Sequence, residues 1–352
     1  MAFAISLILI GITIATITEL KNDMPEDKQL SSGYSVVRSN MEKIDNRANI
    51  LNYTYVSKRN SSIGQTIYHL KDLLFSFWEE VDLAGVPKSF ARRVGNEETL
   101  SLEQYPQGIC MTEDYLLVTS YSEEKDALGE CRVFDKFTGE HLVTLGMDKD
   151  SHLGGITYDG TNIWVCNSSR MMIERISYAF ICHAAINNTG GFVDVTNLME
   201  GYLVKNIPSS LFYYEGNLYV STHRKWTSSK MISYRYDDKR DVLEAKDTYK
   251  IPAKVQGIAL DERGRVYVST SYGRKLSSYL KIYESMKMMH RDVDAYMEMI
   301  EMPPCSEGIA WDSHKLYILF ESAGKKYLEG TDGNGKSIAP LDKILIIDRA
   351  ST

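Results

Sequence analysis

Several common signatures are missing from this 352-residue chain, and each absence removes a class of function. It has no G-x-S-x-G, H-E-x-x-H or P-loop motif, so neither a serine hydrolase elbow, a zinc protease helix nor a phosphate cradle is indicated. Its five cysteines (Cys110, Cys131, Cys166, Cys182 and Cys305) are odd in number and form no C-x-x-C pair. That argues against a zinc site and a full disulfide framework, and predicts free thiols with room for one bridge. A basic stripe is also lacking. The 40 Lys and Arg are scattered among 47 Asp and Glu, and a net charge of −7 excludes a nucleic-acid partner, which would need clustered cations.

Charge is absent from the first eighteen residues, MAFAISLILIGITIATIT, which run apolar up to Glu19. That length suffices to cross a hydrocarbon core, so residues 1–20 are expected to be a membrane anchor. A cleaved signal segment is the alternative, although no Lys or Arg precedes the run and no A-x-A site follows it. Either reading puts the rest of the chain at a membrane or outside the cytoplasm, as a membrane-tethered or secreted protein. Residues 21–62 are polar, without period, and read as a linker. Residues 63–97 then hold an expected amphipathic helix and connector. Ile67, Leu70, Leu73, Leu74, Phe77, Trp78 and Val81 recur at helical steps, until Gly85 and Pro87 stop the pattern.

What is present in abundance is a repeat. QGICMTEDYLLVTSYS from Gln107, GGITYDGTNIWVCNSS from Gly154, SSLFYYEGNLYVSTHR from Ser209, QGIALDERGRVYVSTSY from Gln256 and EGIAWDSHKLYILFES from Glu307 share one pattern. A small residue and an aliphatic one open a strand, a polar turn follows, and an aromatic-aliphatic strand returns. The copies start 47, 55, 47 and 51 residues apart, a propeller-blade period. The expected fold is therefore all-β, a propeller over residues 98–352 of five four-stranded blades. Four blades have a fourth strand before the next copy. The last lacks one, and Glu98–Glu103 is expected to supply it, closing the ring without an open sheet edge.

Strand direction sorts the polar residues. If each inner strand descends from its x-G-I peptide, the turn acids Glu113, Asp159, Asp261 and Asp312 lie at one end. Two rings share the other: Gln107, Gly154, Ser209, Gln256 and Glu307, then Tyr121, Ser168, His223, Ser271 and Glu321. Their chemistry changes from blade to blade while the strand residues around them stay alike, as a shared binding floor requires. The candidate ligand-binding set is Gln107, His152, Asn167, Ser209, His223, Gln256, Ser271, Tyr272, Arg274, Glu307 and Glu321. A water-filled axial channel is the bland alternative. The loop SAGKKYLEGTDGNGKSIAPLDK of the last blade is expected to be a flexible lid on this face. Its TDGNG lacks the spacing and closing Glu of a calcium loop.

The blades resemble those of the gluconolactonase/regucalcin and NHL-type propellers, GIALDERGRVYVST from Gly257 most closely. The likeness covers residues 98–350 and implies a fold rather than an activity. In lactonases of that superfamily, acidic or Asn residues at the first-ring positions bind a divalent cation such as calcium. Here Glu307 alone has that chemistry. The favoured expectation is a binding or scaffold propeller without a cofactor, its ligand a small molecule, glycan or protein. The alternative is a metal-dependent lactonase or esterase, with Glu307 on the metal, or a glycosidase whose catalytic pair is Glu307 and Glu321.

Overall fold

Around the repeat, each small-residue peptide opens the innermost strand of an antiparallel sheet. The computed structural model describes residues 103–349 except 189–190, 323, 338–339 and 342–343, and upstream of these the backbone of six short strands. Inner strands Gln104–Met111, Ile156–Tyr158, Ser210–Tyr214, Val255–Leu260 and Ser306–Asp312 each pair with the strand that follows, and the sheets continue outward to a third and fourth strand. The fold is an all-β propeller of five blades. Outer strands His141–Met147, Glu200–Leu203, Val242–Ile251 and Glu298–Met302 stand where the repeat predicts them.

The strands alternate, and both of their faces are buried because both meet another blade. In Tyr115–Ser122, Leu117 points to blade two among Ile156, Ile163 and Val165, while Leu116 and Val118 point to blade five among Tyr317, Leu319 and Ile346. Each of the five blade interfaces holds its own apolar cluster, the fifth joining blade five back to blade one. At about 1.5–3 kcal/mol for each large aliphatic or aromatic side chain removed from water, these clusters are the main support of the ring.

The repeated glycine has a steric cause. A Cβ on Gly308 would lie 2.7 Å from the Gln107 carbonyl oxygen and 3.0 Å from Gly108 Cα; one on Gly155 would lie 2.4 Å from the Leu211 nitrogen. Both probe the next blade's backbone, so the inner strands approach too closely for any side chain. Blade three has Ser210 instead, with its hydroxyl bonded to that of Ser221.

Closure differs from the sequence expectation. Glu98–Ser101 pairs with Ser89–Arg92 in a separate two-stranded sheet, whereas the fourth strand of blade five is Trp78–Leu83, set antiparallel to Ile344–Ile347. Glu98–Ser101 finds a partner close in sequence in Ser89–Arg92, and the edge of blade five is taken by Trp78–Leu83. Segments expected to be linker or helix also supply strands. Tyr34–Val37 extends blade five beyond Trp78–Leu83, and Thr54–Ser57 with Thr66–His69 extends blade four. Thr66-Ile67-Tyr68 and Trp78 to Val81 are rich in β-branched and aromatic residues, and an open blade edge offers them backbone partners; tertiary pairing overrides the helical period.

Among the described residues the helices are short insertions: Tyr178–Asn187 in blade two, Met286–Arg291 in blade four and Lys325–Glu329 in the last-blade loop. No helix among the described residues is long and apolar enough to cross a membrane, and the anchor expected at residues 1–20 lies outside them. All five cysteines are free thiols. Met289 and Met302 fill apolar clusters of blade four.

Candidate functional site

The geometry that fixes the inner strands also gathers their first residues. Gln107, Gly154, Ser209, Gln256 and Glu307 line one cavity of about 490 Å³ on the ring axis, together with Tyr121, Ser168, His223 and Glu321 from the ends of the second strands. His152, Ile207, Pro208 and Tyr327 complete its wall. A second cavity of about 460 Å³ adjoins it and shares Gln256, Glu307, Glu321 and Tyr327. Ser271, Tyr272, Arg274, Lys225, Lys275 and Cys305 lie on its side. The top face therefore has two chambers with a common wall, and that wall carries the carboxyl pair.

Glu307 and Glu321 are 5 % and 8 % exposed. Gln107 Nε2 donates to Glu321 Oε2 at 2.8 Å, the Tyr327 hydroxyl donates to Glu321 Oε1, and Gln256 Nε2 donates to Glu307 Oε1 at 3.2 Å. Burial is the largest cause holding Glu307 well above the ordinary carboxyl range, and the neighbouring Glu321 adds to it. Burial raises Glu321 as well, against the pull of Lys326 and of the donors from Tyr327 and Gln107.

The last-blade loop folds over this face. Lys326 Nζ bonds to the Tyr121 hydroxyl and, at 2.6 Å, to Glu123 Oε1, and it lies 4.2 Å from the Tyr105 ring centroid. Arg274 fastens the loop from the other side. It donates to both oxygens of Asp332 and to the carbonyls of Lys326 and Gly335, with its guanidinium 4.5 Å from the Tyr327 ring centroid. The loop thus lies on the expected face, held by specific pairs.

His152 stacks on Tyr121 with ring centroids 4.0 Å apart. It reaches solvent through the chamber mouth, yet protein surrounds it closely enough that burial, helped by Lys326, lowers its pKa to about 4. His152 is therefore a neutral ring at pH 7. His223 Nδ1 lies 3.1 Å from the Val255 carbonyl; since a carbonyl only accepts, Nδ1 carries the proton.

Of the eleven predicted site residues, Gln107, His152, Ser209, His223, Gln256, Glu307 and Glu321 meet in the first chamber. Ser271, Tyr272 and Arg274 line the second. Asn167 is the exception. Fully buried, it donates to Asp148 Oδ2 and Glu174 Oε1, each at 2.9 Å, and accepts from Ser169 and Arg170, so its amide joins loops rather than facing a chamber. Sequence reasoning missed Tyr327 and Lys326, because a loop shows no period from which side-chain direction follows; their one signal was the Lys325-Lys326-Tyr327 run in a loop read as a lid. The turn acids serve their hairpins at the other end. Asp159 accepts from the Trp164 indole at 2.6 Å, and Asp312 pairs with Lys136 at 3.0 Å. Among the described residues no group of three His, Cys, Asp or Glu side chains could hold a metal ion.

No family model matches the chain, and no curated protein matches it. Solved structures that resemble it include the hydrazine synthase of Kuenenia stuttgartiensis, with 12 % identity over 60 % of this chain and 55 % of that one, at a TM-score of 0.33. A nidogen/laminin complex matches with 10 % identity over 77 % and 86 % of the two chains at 0.37. The tail fiber of Staphylococcus aureus phage P68 matches with 10 % identity over 71 % and 51 % at 0.45. The chain thus spans about half the length of the first and third of these.

Proposed function

We propose that this protein is a binding propeller that takes a small polar molecule, a glycan or a protein segment into the two chambers of its top face. One observation carries the reading: five blades with alike apolar strands bring chemically different polar groups to one axial cavity. A concave site with a few convergent polar groups is the default binding hypothesis for a propeller. The resemblance to gluconolactonase/regucalcin and NHL-type propellers enters as a likeness of blades, since Gln107 and Gln256 stand where a cation site wants anionic oxygens.

The test is a screen of polar small molecules and glycans against the wild type and the Glu307→Gln/Glu321→Gln double variant. Ligands that bind the wild type and are weakened at least about tenfold in the variant support the reading. Binding unchanged in the variant removes the reason for centring it on these residues. A hydrolytic role retains one supporting observation, two buried carboxyls on one wall of which burial and the neighbouring acid raise Glu307 well above the ordinary range. Turnover of a lactone, ester or glycoside that is lost in either single Gln variant would favour it. The apolar residues 1–19 are the basis for a tethered or secreted propeller. Membrane fractionation with and without them tests that part, and fractionation unchanged by the deletion sinks it.

A further inference from the structure

The two chambers differ in charge. The first has no Lys or Arg in its lining, while the second is lined by Lys225, Lys275 and Arg274. Arg274 is committed to Asp332 and two carbonyls. The two carboxyls of the shared wall have donors of their own in Gln107, Tyr327 and Gln256. Lys225 and Lys275 face no ion-pair partner among the described residues. Lys225 Nζ lies 4.4 Å from the Tyr272 ring centroid, and Lys254 Nζ lies 5.2 Å from the same centroid. Two ammonium groups thus share one aromatic ring without an acid between them.

Beside that ring is an exposed one. Trp226 is 75 % exposed, with its centroid 5.5 Å from that of Tyr272, and Leu276 on the same chamber is 55 % exposed. The rim therefore joins a flat apolar surface to unmatched positive charge. Aromatic faces accept rings and flat groups, and clustered ammonium groups accept anions.

We infer that the second chamber takes the anionic end of the ligand: a carboxylate or phosphate ester carried on a flat or ring-shaped group, with the anion at Lys225 and Lys275 and the ring on Tyr272 and Trp226. The inference rests on the top-face reading above and adds to it the ligand's charge and direction. The anionic end sits in the second chamber, and hydroxyl or amide groups reach past the carboxyl pair toward His152 and His223 in the first.

The experiment titrates the full chain with phenyl phosphate, benzoate, benzyl alcohol and inorganic phosphate at low and moderate salt. Phenyl phosphate or benzoate is expected to bind at least about tenfold more tightly than benzyl alcohol, with the advantage shrinking as salt screens it. Which of the two anions is preferred separates a phosphate ester from a carboxylate. The advantage should vanish in Lys225→Gln/Lys275→Gln, at an unchanged melting temperature. Trp226→Ala should weaken the ring-bearing probes and leave inorganic phosphate unaffected. Equal binding of benzyl alcohol, an anion preference that survives the double Lys variant, or no binding by any probe overturns the inference. Anion binding that persists in Glu307→Gln/Glu321→Gln leaves this site standing and sinks the carboxyl-centred reading. Neutral ligands bound in a Glu-dependent way, without anion preference, do the reverse.

Discussion

At the hairpin end of blade four, Asp261 is 2 % exposed and accepts from the backbone nitrogens of Arg263 and Arg265, from Arg265 Nε at 2.6 Å and from the Tyr267 hydroxyl. At the top of blade five, Glu307 is 5 % exposed and has one amide donor at 3.2 Å and a second carboxyl as its neighbours. Both acids are buried at the tip of a strand pair. One is surrounded by donors that ask for its negative charge; the other is placed where its charge is opposed. A satisfied acid stabilises the fold, and an opposed one persists only where the surrounding structure fixes it, which is why the top face is the end to suspect of function.

The ends also differ in how tightly the backbone is packed, and the largest expected effect follows from that. Gly308→Ala places a Cβ against three backbone atoms of blade one, none able to move aside. The loss should be about 3 kcal/mol, roughly 6–12 °C in melting temperature at 2–4 °C per kcal/mol. Gly160, in the blade-two hairpin, has φ +94° and nothing within 4 Å, so Gly160→Ala meets backbone strain alone, about 1 kcal/mol. Equal melting shifts for the two variants would mean that the inner strands do not approach as described.

Next in size is Asp261→Ala. It strands a partly buried guanidinium, a hydroxyl and two backbone donors, and should cost about 2–3 kcal/mol while leaving top-face binding intact. Thermal melting and a binding titration on the same sample check both halves. A loss of binding at unchanged stability would erase the contrast between the ends.

These contrasts mark what was legible in the sequence. The blade period, the inner strands and the two rings followed from residues that repeat, because a repeat fixes strand direction and direction fixes which end a residue occupies. Seven of the eleven named residues belong to the two rings and line the chambers for that reason, with His152, Tyr272 and Arg274 beside them; Asn167 fails because its strand ends beside Asp148 and Glu174, neighbours that the repeat does not encode. The closing strand was misassigned for a similar cause. Glu98–Ser101 stands next to the first inner strand and reads as its closing neighbour, while Trp78–Leu83 carries a helical spacing that hides the strand it forms on the edge of blade five. Tyr327 and Lys326 lie in the loop, where no periodicity applies.

A pH titration sharpens the comparison at smaller cost to the fold. Glu307 is raised above its ordinary value of 4.5 in the folded chain, so between 4.5 and its folded value the native state binds more protons than the unfolded one. The stability it contributes is fully present below 4.5 and is lost as pH rises through the folded value, at up to about 1.4 kcal/mol per pH unit. Glu307→Gln keeps a neutral hydrogen-bonding group and should flatten that slope, making the variant at least as stable as wild type at pH 7. Denaturant midpoints across this range measure it, and a variant less stable than wild type at pH 7 would show that the ionised carboxyl is wanted there.

The smallest effect belongs to the loop that covers the top face. Arg274 and the neighbouring Asn334 hold Asp332 far below the usual carboxylate range, and the ion pair is 29 % exposed on the Asp side. Because Asp332 is on the solvent side of the pair, Asp332→Asn should change the melting temperature little, by an amount in the range of exposed ion pairs, below about 1 kcal/mol. Its expected consequence is local. With one charge gone, Arg274 keeps its carbonyl bonds to Lys326 and Gly335 but releases the turn at Asp332, so backbone amides near Asn334 should exchange faster, while those of Gln104–Met111 should not. Lowering the pH to about 4 should leave this loop unchanged in wild type, since Asp332 remains ionised there. Hydrogen exchange read separately for the loop and the inner strands decides it: uniform acceleration would make the pair a support of the whole ring, and no acceleration would make the loop independent of Arg274.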